Sequence, residues 1–434
     1  MAAPALTLPS RTAVTDTAAC PCARTDAERL IGYTLPELRD LHHRDLFVDW
    51  LPFMQEHVID RDYGGFLCDT DFDGTHADMK KNPLFEGRGI WVYSTLYMRF
   101  GKDEGYLDVA RRSVELLRKS QPPDDAFWCT QLERDGTPAN TPGKVIPTDV
   151  GIAEGYAAFA LATGQQEYLD RAKQLLRKCI RAYDRPDYNP TVGHGYFGAN
   201  APLFPGARIM GSCMIMLRAA AQILAMDPDP EFDSFSRRCA DAVISHHYNP
   251  AFQLNNELLN RDFSRPGEPY AQLSNLGNTF EMTWMLLDEA TRQHDNAMFQ
   301  VCAERLKRHT LVGWDPVYEG VFHSLLNVDE NRYTLNKLLW AQTELLVDTL
   351  YIYDRTSAPW AAELFGQTYK YVRERYPLKS HGSPIWMYAA GRKARFEEFA
   401  GLRKRIENYH YPRHLMLNLL RLQAMTAQQN PNAN

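Results

Sequence analysis

The amino-acid sequence predicts an all-α fold, a closed (α/α)6 barrel of six helical hairpins with short β-hairpin loops on one rim. Three observations support this prediction. A helix-turn-helix unit of roughly sixty residues recurs along the chain, the two helices of each unit differ in their apolar surface, and Gly-containing aromatic segments separate the units. We expect residues 29–427 to form one barrel domain, with disordered tails at 1–28 and 428–434.

The first helix of each unit is apolar on nearly all sides, whereas the second has an apolar stripe opposite charged residues. This contrast predicts a buried inner ring and a half-solvated outer ring. The predicted inner helices begin near residues 86, 152, 214, 280, 338 and 414. An unpaired outer helix around residues 46–54 would close the ring by packing against the last inner helix. An open α-solenoid is the alternative, but its terminal repeat would be polar, and the last helix here is strongly apolar.

Four segments between the units combine aromatic or apolar residues with Gly, and we expect each to form a short β-hairpin. They are residues 63–74, 127–136, 318–329 and 385–392. Each joins an outer helix to the next inner helix, so all four should lie on one rim. Loops gathered above the N-termini of inner helices are where a ligand pocket would form.

Composition excludes several classes of function. The 434 residues include 48 Lys and Arg against 54 Asp and Glu, spread along the chain, so no nucleic-acid partner is expected. The N-terminus lacks the features of a signal peptide, and no run of 18 apolar residues predicts a membrane span. Eight scattered cysteines are interpreted as reduced thiols of a cytoplasmic protein. The aromatic content of 12% suits a pocket for a small sugar; a homodimer stays open.

Metal and cofactor signals in the chain are weak. Cys20-Pro-Cys22 is a single close-spaced pair in a polar segment, and His246-His247 lacks the spacing of helical zinc ligands. No Gly-rich phosphate loop follows a predicted strand. We therefore expect neither a metal ion nor a cofactor.

Polar residues fall at the N-terminal ends of the predicted inner helices. Arg88 follows the first rim segment and is a candidate anchor for sugar hydroxyls or an oxyanion, or else the ion-pair partner of Glu86 or of another rim carboxylate. The spacing of Asn278, Glu281 and Trp284 puts them on one face of the fourth inner helix. Because a carboxylate is costly to bury in an apolar helix without a partner, Glu281 should face the barrel mouth or a partner.

His410 stands at the start of the last inner helix, in Asn408-Tyr-His-Tyr-Pro-Arg. An imidazole with an unperturbed pKa of about 6.5 can take and return a proton near neutrality, so His410 is a candidate acid–base group. The alternative is a hydrogen bond to a backbone carbonyl. Further residues expected at the pocket are basic or aromatic, and Trp340 is the preferred platform for a sugar ring. These residues are Trp91, Tyr93, Lys337, Trp340 and Trp386.

Several motifs, in this order, resemble the N-acylglucosamine 2-epimerase family of sugar 2-epimerases and aldose-ketose isomerases. They are Tyr63-Gly-Gly-Phe, Gly87-Arg-Gly-Ile-Trp-Val-Tyr-Ser, Glu281-x-x-Trp284, Lys337-x-x-Trp340-x-Gln342-x-Glu344 and Tyr409-His410-x-Pro-Arg413. The resemblance implies an (α/α)6 barrel and cofactor-free chemistry at C2 of a ring-opened sugar. It makes His410 the C-terminal catalytic histidine, Arg88 a residue near the sugar oxygens, Glu281 a supporting carboxylate and Trp340 a sugar platform.

The chain departs from the family pattern at several positions. Where the family has Gly-His-x-x-Glu, this sequence reads Gly277-Asn278-Thr-Phe-Glu281, and asparagine cannot act as a proton-transferring base. Three other family side chains are also replaced: a histidine and an asparagine on the third inner helix and a tryptophan before the last histidine. The replacing residues are Ile215, Gly211 and Arg405.

The missing histidine limits the chemistry. Inversion at C2 needs a proton to leave one face and arrive on the other, which requires two acid–base groups or a rotating intermediate. A single base can instead carry a proton from C2 to C1 on one face. With His410 alone, aldose-ketose isomerisation is therefore favoured over epimerisation, unless a second group comes from His194, His323 or His414.

Two other classes of function stay open. A glycoside-processing hydrolase would need paired carboxylates in the pocket, with Asp149, Glu257 and Glu281 as candidates. A sugar-binding relative without catalysis would fit the loss of the histidine and would show stabilisation by ligand without turnover.

Overall fold

The computed structural model describes residues 29–143, 146–387, 389–393 and 406–429. The predicted N-terminal tail, the Cys20-Pro-Cys22 pair, Arg405 and residues 430–434 lie outside the described residues. The last helix includes residues 428 and 429, which the sequence assigned to the tail. Helix ends are the least certain part of any pattern-based prediction, because the last turn carries few apolar residues.

Twelve long helices alternate between two rings in the described part of the chain. In chain order they are α1 (residues 35–58), α2 (Pro83–Arg99), α3 (Glu104–Lys119), α4 (Ile146–Thr163), α5 (Gln166–Tyr183), α6 (Met210–Leu224), α7 (Pro230–Asp241), α8 (Leu276–Arg292), α9 (Asn296–Gly313), α10 (Leu339–Thr356), α11 (Pro359–Arg375) and α12 (His410–Gln429). Helix α1 includes two π-helical stretches, and Ala242–His247 continue α7 in the same form. A one-turn helix, His194–Phe197, precedes α6.

The even-numbered helices form the inner ring. Each packs against the next even-numbered helix, and α12 in turn contacts α2. Helices α3, α5, α7, α9 and α11 each pack against the inner helix before them, and α1 packs along α12, as predicted for the unpaired outer helix. The ring is closed, so the predicted (α/α)6 barrel is confirmed.

The two rings differ as the sequence predicted. Residues on every side of α4 are buried, including Asp149 and Glu154, whereas α5 buries one stripe of residues three or four apart. Inner helices α2 and α4 also approach very closely: a Cβ at Gly87 would collide with the backbone at Gly151, and one at Gly155 with the Gly87 carbonyl. Larger side chains there would force the two helices apart. No helix in the described residues combines the length and apolar character needed to cross a membrane.

Short antiparallel strands lie between the helices. They are β1 (Arg29–Leu30), β2 (Tyr33–Thr34), β3 (Arg208–Ile209), β4 (Tyr248–Asn249), β5 (Leu254–Asn255), β6 (Leu258–Leu259), β7 (Ser274–Asn275), β8 (Ser324–Asn327), β9 (Arg332–Tyr333), β10 (Lys337–Leu338) and β11 (Ala389–Ala390). The pairs are β1 with β2, β3 with β6, β4 with β5, and β10 with β11, while β8 lies between β7 and β9.

The four predicted hairpins are only partly correct. Segments 63–74 and 127–136 contribute isolated bridges and no strands. Segment 318–329 contributes β8, whose partners come from outside that segment, and segment 385–392 contributes β11, which pairs with β10. Aromatic residues and Gly identify extended rim segments, but they do not specify which distant backbone satisfies the N–H and C=O groups.

Two rim loops are held by matching buried ion clusters, each built from an Asp, a Lys and an Arg. The clusters are Asp60 with Lys81 and Arg134, and Asp315 with Lys337 and Arg392. In both, the lysine Nζ is 3.0 Å from the aspartate and no lysine surface is exposed. The pKa of Asp315 is well below its usual range, because hydrogen bonds from Arg392 and Lys337 outweigh burial. Lys337 therefore holds a rim loop and, contrary to the prediction, does not reach the pocket.

Candidate active site

A buried arginine and two glutamates join three inner helices below the rim. Arg413 of α12 donates from Nη2 to Glu281 Oε1 of α8 at 2.7 Å and to Glu344 Oε1 of α10 at 2.6 Å. Trp284, also on α8, donates from Nε1 to the other oxygen of Glu344 at 2.6 Å. All four side chains are buried. Because buried charges need such partners, this cluster fixes the relative positions of the three helices at the pocket.

The pKa values of the two glutamates are shifted in opposite directions. For each carboxyl group, burial acts to raise the pKa and the positive charge of Arg413 acts to lower it. Glu281 is also close to His410 and Arg88, and the combined positive charges bring its pKa below the usual value. For Glu344, burial and the negative charge of Glu281 prevail, so its pKa is raised. Glu281 is therefore the carboxylate that stays ionised beside the histidine.

His410 occupies the N-terminal end of α12 and is 7% exposed. Its Nδ1 lies 2.9 Å from Glu407 Oε1, and its backbone N–H donates to Glu407 Oε2 at 2.6 Å. Its Nε2 lies 3.7 Å from Glu281 Oε1. A proton on Nδ1 satisfies Glu407 and leaves the Nε2 lone pair available, which is the arrangement of an oriented general base.

Trp340 of α10 lies against two histidines. Its ring stacks on His410 with centroids 5.3 Å apart and an interplanar angle of 29°. The ring of His323 meets it edge-on, at 5.5 Å and 76°. Trp340 is half-buried, and with Trp386 and Glu407 it lines a small cavity at the rim. The predicted platform and Trp386 are thus both beside the candidate base.

Three arginines surround the ring of Tyr409, which precedes the histidine. The guanidinium carbons of Arg413, Arg88 and Arg218 lie 4.5, 4.6 and 5.7 Å from the ring centroid. The Tyr409 hydroxyl donates to Glu154, which also pairs with Arg218. In the part of the chain that the structure describes, Arg88 has no hydrogen bond or ion pair. It is half-buried and its charge acts on Glu281, so it can serve a ligand, as one of its two predicted roles requires.

The alternative partner of Arg88 is engaged elsewhere. Glu86 accepts hydrogen bonds from the Phe66 backbone N–H at 2.9 Å and from Ser113 Oγ at 2.5 Å. Burial raises the pKa of Glu86 to about 7. Glu86 therefore faces the outer ring and a rim loop, so the predicted alternative of an Arg88–Glu86 ion pair is not formed.

Three predicted aromatic residues lie away from the mouth. Trp91 donates to Gln222 at 2.9 Å and lies under Arg218, whose guanidinium carbon is 4.6 Å from its ring. Trp284 is the buried partner of Glu344. Tyr93 has no exposed surface and stacks on Phe66, 5.6 Å away, on the outer side of α2. Trp91 and Trp284 therefore lie below the rim, where both line a cavity with Arg218, and Tyr93 packs on the outer side of α2.

Asn278, one turn before Glu281 on α8, is bound to a buried carboxyl group. Its Nδ2 donates to Glu257 Oε1 at 3.0 Å, and the Gly211 N–H approaches the same oxygen at 3.4 Å. Burial raises the pKa of Glu257 to about 8. A Cβ at Gly211 would lie 2.7 Å from Asn278 Nδ2, so the departures at 211 and 278 are in contact. Ile215, the third departure in the described chain, packs against the core.

Of the three histidines considered as a second acid–base group, one touches the site. His414 is 2% exposed and faces α1, where its ring lies 6.4 Å from that of His42. His194 lies in the one-turn helix, and its Nε2 is buried without a hydrogen-bond partner among the described residues. His323 contacts Trp340. Sequence reasoning left these three open, and of the three His323 is the one in contact with Trp340.

The carboxylates proposed for a hydrolase are not brought together. Asp149 pairs with Lys178 at 2.6 Å and accepts the Trp128 N–H at 3.1 Å, on the outer side of α4. Glu257 is covered by Asn278, and Glu281 is bound to Arg413. No pair of these three therefore flanks a common space.

Glu281, Glu344 and His410 also offer three potential metal ligands within 4.8 Å of one another. The Arg413 nitrogen already lies between the two carboxylates at hydrogen-bond distance from each. The positive charge that these glutamates require is thus supplied by the protein itself.

Arg413, Glu407 and Tyr409 were not predicted as site residues. All three lie within six residues of His410, and two belong to the motif Tyr409-His410-x-Pro-Arg413. The sequence did indicate Arg413, which lies inside an apolar helix one turn after His410. A cation buried there requires carboxylate partners.

The described helices form a closed barrel in which a histidine contacts two carboxylates and stacks on a tryptophan at one rim. The family model described as N-acylglucosamine 2-epimerase (GlcNAc 2-epimerase) matches residues 64–408. The chain therefore belongs to the N-acylglucosamine 2-epimerase family.

Individual relatives support this membership. An N-acylglucosamine 2-epimerase of Bos taurus is 25% identical over 353 residues, covering 76% of this chain and 79% of the relative. A cellobiose 2-epimerase from Bacillus thermoamylovorans B4167 matches with TM-score 0.74 and 17% identity, over 88% of this chain and 99% of its own. A D-mannose isomerase matches with TM-score 0.71 and 14% identity, over 89% and 97%. At these low identities the two structures show a shared fold.

Proposed function

We propose that the protein is a cofactor-free carbohydrate 2-epimerase or aldose-ketose isomerase that removes the C2 proton of a ring-opened aldose or N-acyl hexosamine. The observation that carries this proposal is the His410 imidazole, which is oriented by Glu407, lies beside ionised Glu281 and stacks on Trp340. Family membership supports the same class of reaction.

In the proposed reaction, His410 Nε2 takes the proton from C2. The electron pair of the C2–H bond forms the C1–C2 double bond, and the C1 carbonyl pair moves to O1, which becomes negatively charged. Arg88, which has no carboxylate partner in the described chain, is placed to stabilise that oxygen. Trp340 offers a flat apolar surface to the sugar carbon chain. No step requires an external electron acceptor or a metal.

Return of the proton decides the product. If the O2 hydroxyl proton moves to O1, the O2 electron pair forms the C2 carbonyl and the C1–C2 double-bond pair takes the proton of His410 at C1 on the same face, so the product is a ketose. If another group delivers a proton to C2 on the opposite face, the product is the 2-epimer. His410 alone supports isomerisation, because a single fixed imidazole reaches one face.

A sugar-binding protein without catalysis is the competing proposal, and the replacement of the family histidine by Asn278 favours it. Such a protein would keep Trp340 and Arg88 for binding while lacking turnover. It would be stabilised by a sugar in thermal unfolding without exchanging hydrogen at C2.

Proton NMR in heavy water tests the proposed function. The protein is incubated with glucose, mannose, N-acetylglucosamine, N-acetylmannosamine and cellobiose, and the C2–H signal is followed. We expect loss of that signal for at least one sugar, and a decrease of about 10²-fold or more in His410→Gln. His246→Gln, on an exposed part of the outer ring, is the matched control and should behave as wild type. Absence of exchange with every sugar would reject the proposal.

A further inference from the structure

The site contains a second imidazole on the same platform as the first. His410 stacks on the face of Trp340, and the His323 ring stands at 76° to the Trp340 ring with the centroids 5.5 Å apart. A Cβ at Gly277 would meet both the Trp340 ring and the His323 ring, so the two rings converge at the start of α8. The two imidazoles thus approach the space around Trp340 from different directions.

The position of the missing family histidine cannot supply this second group. Asn278 is bound through its side-chain amide to Glu257, and an amide does not take up a proton near neutral pH. Glu257 is fully buried behind it. Any second proton donor for C2 must come from another element of the rim.

We propose that His323 is the second acid–base group of this site and that, with His410, it allows the protein to invert C2 as an epimerase. This inference rests on the proposed function, since it requires C2 chemistry at His410. His323 comes from the strand segment before α10, and the family histidine would have come from α8.

The surroundings of His323 suit this role. Its Nδ1 is 3.0 Å from Ser324 Oγ, and its Nε2 has no partner among the described residues. Its carbonyl accepts the Gly277 N–H at 3.1 Å, which holds the segment against α8. Burial lowers the pKa of His323 to about 4, so its ring is neutral near pH 7 and Nε2 can carry a free lone pair when Nδ1 carries the proton.

The proposed step balances with two imidazoles in opposite protonation states. Neutral His323 takes the proton from C2 of one epimer, and the C–H pair forms the enediolate with O1 negative. Protonated His410 then gives its proton to C2 on the other face, and the C1 carbonyl forms again. The opposite epimer uses the same groups in reverse order. Exchange with water resets both imidazoles, so no oxidant or further reactant is consumed.

Two fixed bases on two faces predict a specific signature. Each base abstracts the proton of one epimer only, so removing one base should stop C2–H exchange for one epimer and spare it for the other. A residue with a structural role would instead lower the exchange of both epimers together.

The test uses His323→Gln, His410→Gln and His246→Gln, each with both members of an epimer pair that the wild-type protein exchanges in heavy water. In His323→Gln we expect epimer formation to fall by about 10²-fold or more, with exchange retained for one epimer and lost for the other. His410→Gln should show the opposite selectivity, and His246→Gln should match wild type. Exchange falling equally for both epimers in His323→Gln, or epimerisation at the wild-type rate, would overturn the inference.

Ser324→Ala keeps both bases and removes the hydroxyl group beside His323 Nδ1. We expect a smaller decrease, of a few-fold, for the same epimer that His323→Gln fails to exchange. An equal decrease for both epimers in this variant would also contradict the role of His323. If wild-type protein exchanges no sugar, the proposed function fails; if it exchanges and epimerises without His323, only this inference fails.

Discussion

Two glutamates near the N-terminal half of α8, Glu281 on the helix and Glu257 bound to its Asn278, are almost equally buried, at 4% and 0% exposure. Their protonation differs because their neighbours differ. Glu281 has Arg413, His410 and Arg88 close by, and its pKa is lowered. Glu257 has neutral partners, and burial raises its pKa to about 8. The barrel thus provides a charged side that carries His410 and a neutral side that contains Asn278.

This contrast explains why the two sides tolerate change differently. A histidine at position 278 would have stood beside Glu257, where a carboxylate could support its protonated form. With Asn278 in that place, the neutral carboxyl group of Glu257 needs only hydrogen-bonding partners. The charged side keeps its full set of partners, and acid–base chemistry is concentrated there.

The largest expected effect comes from removing the cation of the charged side. Arg413→Met leaves Glu281 and Glu344 buried without the guanidinium that both contact. We expect a loss of about 3–5 kcal/mol in the free energy of unfolding, as for a broken buried ion pair. Denaturant unfolding measures it. Arg421→Met, which removes a partly exposed pair with Asp354, is the control and should cost far less. Similar losses in both variants would break the comparison.

The next effect concerns the orientation of the base. Glu407→Gln weakens the contacts to His410 Nδ1 and to its backbone N–H. We expect kcat/KM to fall by about 10²-fold, within the range for a displaced general base, with a smaller change in melting temperature. Steady-state kinetics on the best substrate measure the effect, and Glu133→Gln, on an exposed rim loop, is the control. Unchanged kcat/KM would mean that Glu407 does not orient the imidazole.

The neutral side is tested by the close packing of Gly211 against the Asn278 side chain. Gly211→Ala places a methyl group against Asn278 Nδ2, which must move away from Glu257. We expect a loss of about 1–3 kcal/mol in the free energy of unfolding. Asn278→Ala in the same chain should recover part of that loss, because the two side chains no longer collide. A double-mutant cycle measures the coupling, and additive losses would show that the two departures are independent.

The sequence was sufficient for the ring of helices and for the rim at which several candidate residues meet. Apolar periodicity predicted the inner helices, and the N-terminal positions of Arg88, Glu281, Trp340 and His410 followed from it. It was insufficient for partners distant in sequence: Arg413 lies 132 and 69 residues from the glutamates that it joins. The spacing of residues along a helix also predicts which of them share one face, but it does not predict which element packs against that face.

Lys337 shows what the sequence could still have revealed. Its position directly before an inner helix suggested the pocket, yet it pairs with Asp315 in a rim loop. Lys81 stands directly before α2 and pairs with Asp60 in the same way. Comparing the two repeats position by position would have indicated a structural lysine in both.

The last comparison separates the two glutamates by the pH dependence of their contributions to stability. The pKa of Glu257 rises from 4.5 unfolded to about 8 folded, so the stability it contributes is complete below about pH 4.5 and is lost as pH rises through 8. Glu257→Gln removes this titration and should gain relative stability from pH 5 to 8.5, by at most about 1.4 kcal/mol per pH unit.

Glu281→Gln should show the opposite trend. The lowered pKa of Glu281 gives stability above its unfolded pKa that is lost as pH falls, so the cost of Glu281→Gln should be largest near neutrality and shrink below pH 4.5. Thermal unfolding of both variants and wild type across this range measures the two trends. Parallel pH profiles would mean that burial alone sets the pKa of both carboxyl groups. The charged and neutral sides would then no longer be distinct.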